Sequence, residues 1–151
     1  MATRARIGIE LADGTVRSSY HHWDGYPAGL GYNLVENWND RDKLMQAIEL
    51  GDASHWGDRV GEKCDFDNRD TIPEGQNVYY GRDRGETGVK PVDFKDVDTF
   101  LNEYDVAGEE YAYVLTRDGL WVLNCRYAKK THWDAEYEIR EQRERLDKKI
   151  A

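Results

Sequence analysis

Apolar and polar positions alternate over residues 5–11 (Ala-Arg-Ile-Gly-Ile-Glu-Leu), placing Ile7, Ile9 and Leu11 on one side of an extended chain, which predicts a strand. Asp13-Gly14 follows, a turn pair whose glycine accepts φ > 0, and residues 16–20 read as the return strand of a hairpin. Past a glycine-rich stretch the period becomes that of a helix. Pro27 suits a first helical turn, and Leu30, Leu34, Val35 and Trp38 share one face. Asn39 or Asp40 then caps a second helix carrying Leu44, Met45 and Ile48, with Gly51 just past its end.

Between residues 52 and 75 the periodicity vanishes. The stretch is polar and acidic, yet it holds Trp56, Val60 and Phe66, which a flexible linker does not carry; a long ordered loop pinned to the core is expected, with room for a short helix. Residues 77–81 read as a short third strand delivering Arg82-Asp83-Arg84-Gly85-Glu86, and a mobile stretch is expected over 87–91. Asp93 is positioned to cap a helix with Phe94, Val97, Leu101 and Tyr104 on one face. Residues 110–116 and 120–127 form a second hairpin around Asp118-Gly119, with Tyr111, Tyr113, Trp121 and Tyr127 alternating as on a half-buried sheet. Residues 133–150 read as a charged helix supported by Glu136/Arg140, Glu141/Arg145 and Glu144/Lys148 at four-residue spacing. Its apolar residues make no single stripe, so it projects, pairs with a second copy, or frays as a solvated tail.

The expected fold is α+β: an antiparallel sheet built from two hairpins and a lone strand, with helices packed on one face. Residues 1–130 form a single domain and 131–151 the added charged helix. A length of 151 residues suits one domain, and 39% hydrophobic residues suffice for a core.

Charge narrows the functional classes. Thirty acids against 21 bases give a net charge of −9, which argues against a direct binder of phosphate backbones. It suits a basic protein partner, mimicry of a nucleic acid surface, or plain solubility. The two cysteines, Cys64 and Cys125, are too few for a disulfide framework. Neither a membrane-spanning run nor a secretory segment is visible, so a soluble intracellular protein without membrane contact is expected.

Three groups of residues carry candidate chemistry. Residues 20–35 gather four aromatic rings, two imidazoles, one carboxylate, three glycines and a proline. In it His21, His22 and Asp24 are catalytic candidates, because imidazole titrates near neutrality and a carboxylate can fix its tautomer; Trp23 and Tyr26 are candidate ligand contacts. Neighbouring strand residues point to opposite faces, so His21 and His22 cannot both enter one site. The pattern is weak for a metal, and polar anchoring of the loop competes with both chemistries. The second group is Arg82, Arg84 and Glu86, flanked by glycines, where two guanidinium groups can clamp a phosphate or carboxylate or can pair with neighbouring acids. The third is the acidic run 93–110, with seven acids and one base, in which Asp96, Asp98 and Glu103 are candidates for a partner-binding face. No phosphate-cradling loop, nucleophile elbow, zinc-protease helix, CxxC or dinucleotide fingerprint occurs, and neither metal nor cofactor is expected.

Several segments together resemble a family of small uncharacterised proteins encoded by tailed bacteriophages and prophages. The likeness rests on Tyr20-His21-His22-Trp23-Asp24-Gly25-Tyr26-Pro27 with Gly29 and Gly31, on Leu50-Gly51-Asp52-Ala53-Ser54, on Tyr80-Gly81-Arg82-Asp83-Arg84-Gly85-Glu86, and on Tyr111-Ala112-Tyr113-Val114 with Trp121. It covers roughly residues 5–127. The resemblance implies origin and context and supplies no catalytic residue. It implies an accessory factor of host-takeover or anti-defence type, acting in the cytoplasm of an infected bacterium. The expectation that results is a binding protein without catalysis, capturing a host protein or a small anionic ligand such as a nucleotide. The alternatives are a small enzyme acting on a nucleotide or phosphoester, with His21 or His22 and Asp24 as acid/base and Arg82 and Arg84 on phosphate, and a virion component dimerising through the C-terminal helix. On either ligand-binding reading, the loop 21–26 and residues 82–86 are expected to form one site.

Overall fold

The computed structural model describes residues 2–125 and the backbone of Trp133–Asp134. Strand β1 (Ala5–Glu10) lies inside a sheet and pairs antiparallel with β2 (Val16–His21), Ala5 opposite His21 and Glu10 opposite Val16. Gly14, at φ 90°, makes the turn, and the Asp13 carboxylate accepts from the backbone N–H and hydroxyl of Thr15. On its other edge β1 pairs parallel with β6 (Tyr111–Leu115), which pairs antiparallel with β7 (Trp121–Cys125) and through it with β8 (Trp133–Asp134). The outer edge of β2 is shared. Strand β5 (Val92–Phe94) runs antiparallel along its first half, and β3 (Ala53–His55) joins parallel at His21, followed by β4 (Val78–Tyr79).

The fold is α+β, but the sheet is mixed, in the order β4-β3-β2-β1-β6-β7-β8 with β5 on β2. The antiparallel expectation is corrected because two connections are crossovers, and a crossover returns the chain parallel. One leads from β2 through a π-helical turn (Pro27–Gly31), α1 (Tyr32–Asn37) and α2 (Arg41–Glu49) to β3. The other leads from β5 through α4 (Val97–Glu103) to β6.

The same crossovers place helices on both faces rather than one. On the first face Leu34, Trp38, Leu44 and Ile48 of the α1/α2 side meet Ile7, Ile9, Tyr113, Leu115 and Trp121, all buried. Each side chain of this size contributes about 1.5–3 kcal/mol on burial. On the second face Phe100, Leu101 and Tyr104 pack on Val16, Ala112 and Val114. Gly8 is required there: a Cβ would come within 2.8 Å of Val16 Cγ1 and 3.1 Å of Phe100 Cζ. Strands that alternate in sequence are therefore buried on both sides, and Arg6 is enclosed on the second face, ion-paired at 2.5 Å to a fully buried Glu109.

Asp40 caps α2, accepting from the N–H groups of Asp42 and Lys43, and Gly51 follows the helix at φ 82°. The cap of α4 is Asp96, not Asp93; Asp93 lies in β5, where it pairs with Arg17 at 3.0 Å. Phe94 also lies in β5, yet its ring still meets Phe100 at 5.2 Å. The strand expected over 77–81 is limited to Val78–Tyr79, and Tyr80 onward belongs to the short helix α3 (Tyr80–Arg84). The stretch 87–91 is tied to the sheet side by the Val89 carbonyl, which accepts from Asp52 N–H at 2.9 Å. The predicted C-terminal helix lies outside the described residues except at its expected start, where Trp133–Asp134 is a strand. Tyr127 is likewise outside them. Among the described residues no helix is long and apolar enough to cross a membrane.

Candidate functional site

At the end of β2 the chain must leave the sheet, and the next residues build a cavity of about 310 Å³. The exit is fastened on several sides. Gly25 donates to the Thr3 carbonyl at 2.8 Å, and its own carbonyl accepts from the Tyr113 hydroxyl at 2.7 Å. The backbone passes so close to β1 that a Cβ at Gly25 would lie 2.7 Å from Thr3 O. His22 and Trp23 N–H groups bond to the Ala53 and Ser54 carbonyls, which brings His55, Trp56, Gly57 and Asp58 to the same rim. Asp24 turns the corner at φ 58°, the only described residue other than glycine at positive φ. Asp tolerates that conformation at a cost, and such strain collects where shape is used.

His21 stands in the cavity wall, buried, with Nε2 at 2.5 Å from the Trp23 carbonyl oxygen. A carbonyl only accepts, so Nε2 carries the hydrogen and Nδ1 keeps its lone pair, which finds no partner. Burial pushes the ring's pKa down to about 3, so it is neutral across the physiological range. The indole N–H of Trp56 also lacks a partner; its ring lies 4.6 Å from Trp38. Trp23 and Tyr26, by contrast, present rings that are 43% and 40% exposed, unusual for side chains of this size beside a cavity. The Asp24 carboxylate makes no hydrogen bond or ion pair with the described residues. Partial burial lowers the pKa of His55, and the charge of Asp24 opposes that shift. Asp58 completes the rim, paired on the surface with Arg59 at 3.0 Å. No lysine or arginine lines this cavity. A second cavity of about 210 Å³ shares His55 and carries Arg69.

His22 points elsewhere, as the strand alternation requires. Its Nδ1 meets the Tyr20 hydroxyl at 2.6 Å, and its ring lies 6.3 Å from Tyr80. Burial and then Arg4 lower its pKa. On the same side Asp52, half-buried, is raised to about 6 by its burial, with Glu109 and Glu86 adding to the shift and Arg6 opposing it.

The arginines of the second group do not line the cavity. Arg82 donates from Nε to Asp83 at 2.9 Å, from its other nitrogens to the carbonyls of Val60, Gly61 and Asn77, and again to Asp83. Asp83 in turn accepts from Tyr79 and Cys64 N–H groups. Burial works against its charge, but Arg82 and these two N–H groups outweigh it and hold the carboxyl below its usual range. Every donor of Arg82 is thus engaged by the fold. Arg84 sits half-exposed over Phe66 at 5.0 Å and pairs loosely with Glu86 at 3.7 Å. Loop and helix α3 therefore meet at His22 and Tyr80 without pooling their polar groups. The joint-site expectation is replaced by a cavity built from the loop and residues 55–58. His55, Trp56 and Asp58 lay in a stretch without periodicity; the available signal was the dipeptide His55-Trp56, which repeats His22-Trp23.

The acidic run is similarly divided. Asp93 pairs with Arg17, Asp96 caps α4, Asp105 accepts from Gly108 N–H and Glu109 is buried on Arg6. Asp98 and Glu103 remain exposed. Among the described residues no group of three or more His, Cys, Asp or Glu is arranged to hold a metal ion. In comparisons with known proteins, no family model, no curated protein and no solved structure matches this chain.

Proposed function

We propose that this chain acts by capture: it is a binding protein whose recognition element is the cavity formed by His21, Trp23, Asp24, Tyr26 and Trp56, holding a small ligand or a projecting side chain without turnover. The observation that carries the reading is the pair of exposed rings, Trp23 and Tyr26, held beside a cavity by a loop that accepts positive φ at Asp24. Large apolar rings kept at a rim by an anchored backbone favour contact with a partner molecule. Binding is favoured over proton transfer because His21 is neutral with one nitrogen on a backbone carbonyl, and His22 is turned to Tyr20. On the resemblance to phage-encoded proteins, we place this capture in the cytoplasm of an infected bacterium, as an accessory factor of host-takeover or anti-defence type.

A thermal-shift panel of nucleosides, nucleotides, amino-acid amides and quaternary amines, run on the native chain and on Trp23→Ala, tests this. A ligand at about 100 times its dissociation constant adds roughly 2.7 kcal/mol, several degrees for a domain of this size. The expected result is a shift that Trp23→Ala abolishes, with the ligand recovered intact by NMR after prolonged incubation. Conversion of the ligand overturns capture in favour of catalysis, and absence of any shift removes the cavity from consideration.

A further inference from the structure

We infer that the cavity selects an organic cation, a guanidinium or alkylammonium head, rather than the anion that the arginines of residues 82–86 suggest. This rests on the capture reading above and adds the charge of what is captured. Three observations converge. Trp23 and Tyr26 are exposed at the rim, and aromatic rings attract cations through their quadrupole. Asp24 brings a carboxylate with no hydrogen bond or ion pair among the described residues, held by a backbone turn at φ 58°; the second rim carboxylate, Asp58, is paired with Arg59. Lysine and arginine are absent from the lining, so no cationic side chain there meets a phosphate or carboxylate, while a donor-bearing cation meets the Asp24 carboxylate.

The buried wall agrees with the rim. His21 in its neutral form adds no positive charge to the wall that would oppose a cation. At a net charge of −9 the whole chain also draws cations toward itself and repels anions. Two sources carry the same head group: a free small amine, and an arginine or lysine within a polypeptide, which alone brings backbone amide groups to the rim.

The test uses the full chain and follows tryptophan indole resonances by NMR during titration. The probes are agmatine, N-acetyl-arginine methylamide, N-acetyl-citrulline methylamide and guanosine. Citrulline has the shape of arginine without its charge, so the proposal expects it to bind at least about tenfold more weakly than the arginine derivative. Asp24→Asn, which keeps the backbone preference of the position, is expected to remove most of that difference with an unchanged melting temperature. Tighter binding of the arginine derivative than of agmatine assigns the head group to a partner polypeptide, and equal binding assigns it to a small molecule. Equal affinity for citrulline and arginine, or binding of guanosine alone, overturns cation selection and leaves capture standing. No binding by any probe overturns both.

Discussion

The loop 20–26 and the segment 80–86 are alike as sequences. Each holds charged or titratable groups among glycines, aromatic rings and the end of a strand. In the folded chain they take opposite courses. Around Arg82 and Asp83 polar groups are matched on the spot, donors to three backbone carbonyls and a carboxylate, acceptors to two N–H groups and a guanidinium. Around His21 and Asp24 the matching stops short: an imidazole nitrogen and an indole N–H are enclosed without partners, and the Asp24 carboxylate is left over beside an open cavity. The difference lies in what backbone is within reach. Carbonyls of Val60, Gly61 and Asn77 fold around Arg82, whereas the loop 21–26 directs the N–H groups of His22, Trp23 and Gly25 to β3 and Thr3 and none of them to the Asp24 carboxylate. A polar cluster that satisfies itself contributes to the fold, and one that does not is available to a ligand.

The sharpest way to break this contrast is Asp83→Ala. Its side chain is fully buried, and its loss takes the carboxylate from Arg82 Nε and Nη2 and leaves two backbone N–H groups without an acceptor. Removing one partner of a buried pair costs roughly 3–5 kcal/mol. Urea unfolding should show a loss in that range. A loss below about 1 kcal/mol would mean that water replaces the carboxylate and that the knot is not closed.

Acid titration separates the two regions next. The folded His21 ring resists protonation until about pH 3, while in the unfolded chain it protonates near 6.5. Its contribution to stability is therefore complete above 6.5 and is lost as pH falls through the window from 6.5 to 3, with a limiting slope of about 1.4 kcal/mol per pH unit. Asp83 is depressed below its usual 3.8, so its contribution is present above 3.8 and is lost only at lower pH. Asp52, raised to about 6, runs the other way, stabilising at low pH and losing that contribution as pH rises through 6. The His21 and Asp52 slopes oppose each other between pH 4 and 6, so His21→Gln should tilt the profile of urea midpoints toward a fall with rising pH, and Asp52→Asn should tilt it toward a steeper rise. An unchanged profile in His21→Gln would show that His21 is protonated in the fold and offers no lone pair.

How far these regions could be told apart from sequence depends on range. Local signals were legible. Asp13-Gly14 and Asp118-Gly119 mark turns whose glycines sit at φ 90° and 82°, and the apolar positions Leu34, Trp38, Leu44 and Ile48 all reach the core. Long-range arrangement was not. The parallel pairings of β1 with β6 and of β2 with β3 join residues more than 30 positions apart, and no local pattern encodes direction. Asp93 and Asp96 are both plausible caps as letters, and the choice was made by β5 pairing with β2, a tertiary contact. For the site, composition identified His21, Trp23, Asp24 and Tyr26 as residues of the cavity but assigned Arg82 to it as well, because a list of residue types does not show which acceptors fold around a guanidinium.

Asp24→Gly tests whether the strain in the loop belongs to its use. Glycine accepts φ 58° without the steric cost an L-residue meets there, so the substitution should stabilise the chain by about 0.4–1 kcal/mol, less whatever entropy glycine adds to the unfolded state. The same change removes the unpartnered carboxylate and should abolish discrimination between the arginine and citrulline probes. Stability gained with selectivity lost identifies a residue retained for binding. Stability lost would mean that the Asp24 side chain supports the loop.

The smallest effect is expected at Arg84, and its size matters to the comparison. Arg84 shares its segment with Arg82 but is half-exposed, its nearest carboxylate oxygen is 3.7 Å away on Glu86, and its guanidinium lies 5.0 Å from the Phe66 ring. A surface pair of this kind and an exposed cation–π contact contribute at most about 1 kcal/mol each. Arg84→Ala should therefore shift the urea midpoint slightly and leave the binding of every probe unchanged, while Arg82→Ala, two residues away, should destabilise as strongly as Asp83→Ala. If Arg84→Ala weakened binding of the arginine derivative, helix α3 would have to reach the cavity, and the separation between the self-satisfied knot and the open site would fail. If it strengthened that binding, the cation at position 84 would be felt at the cavity as repulsion, which supports a cationic ligand over a shorter range than the chain's net charge alone provides.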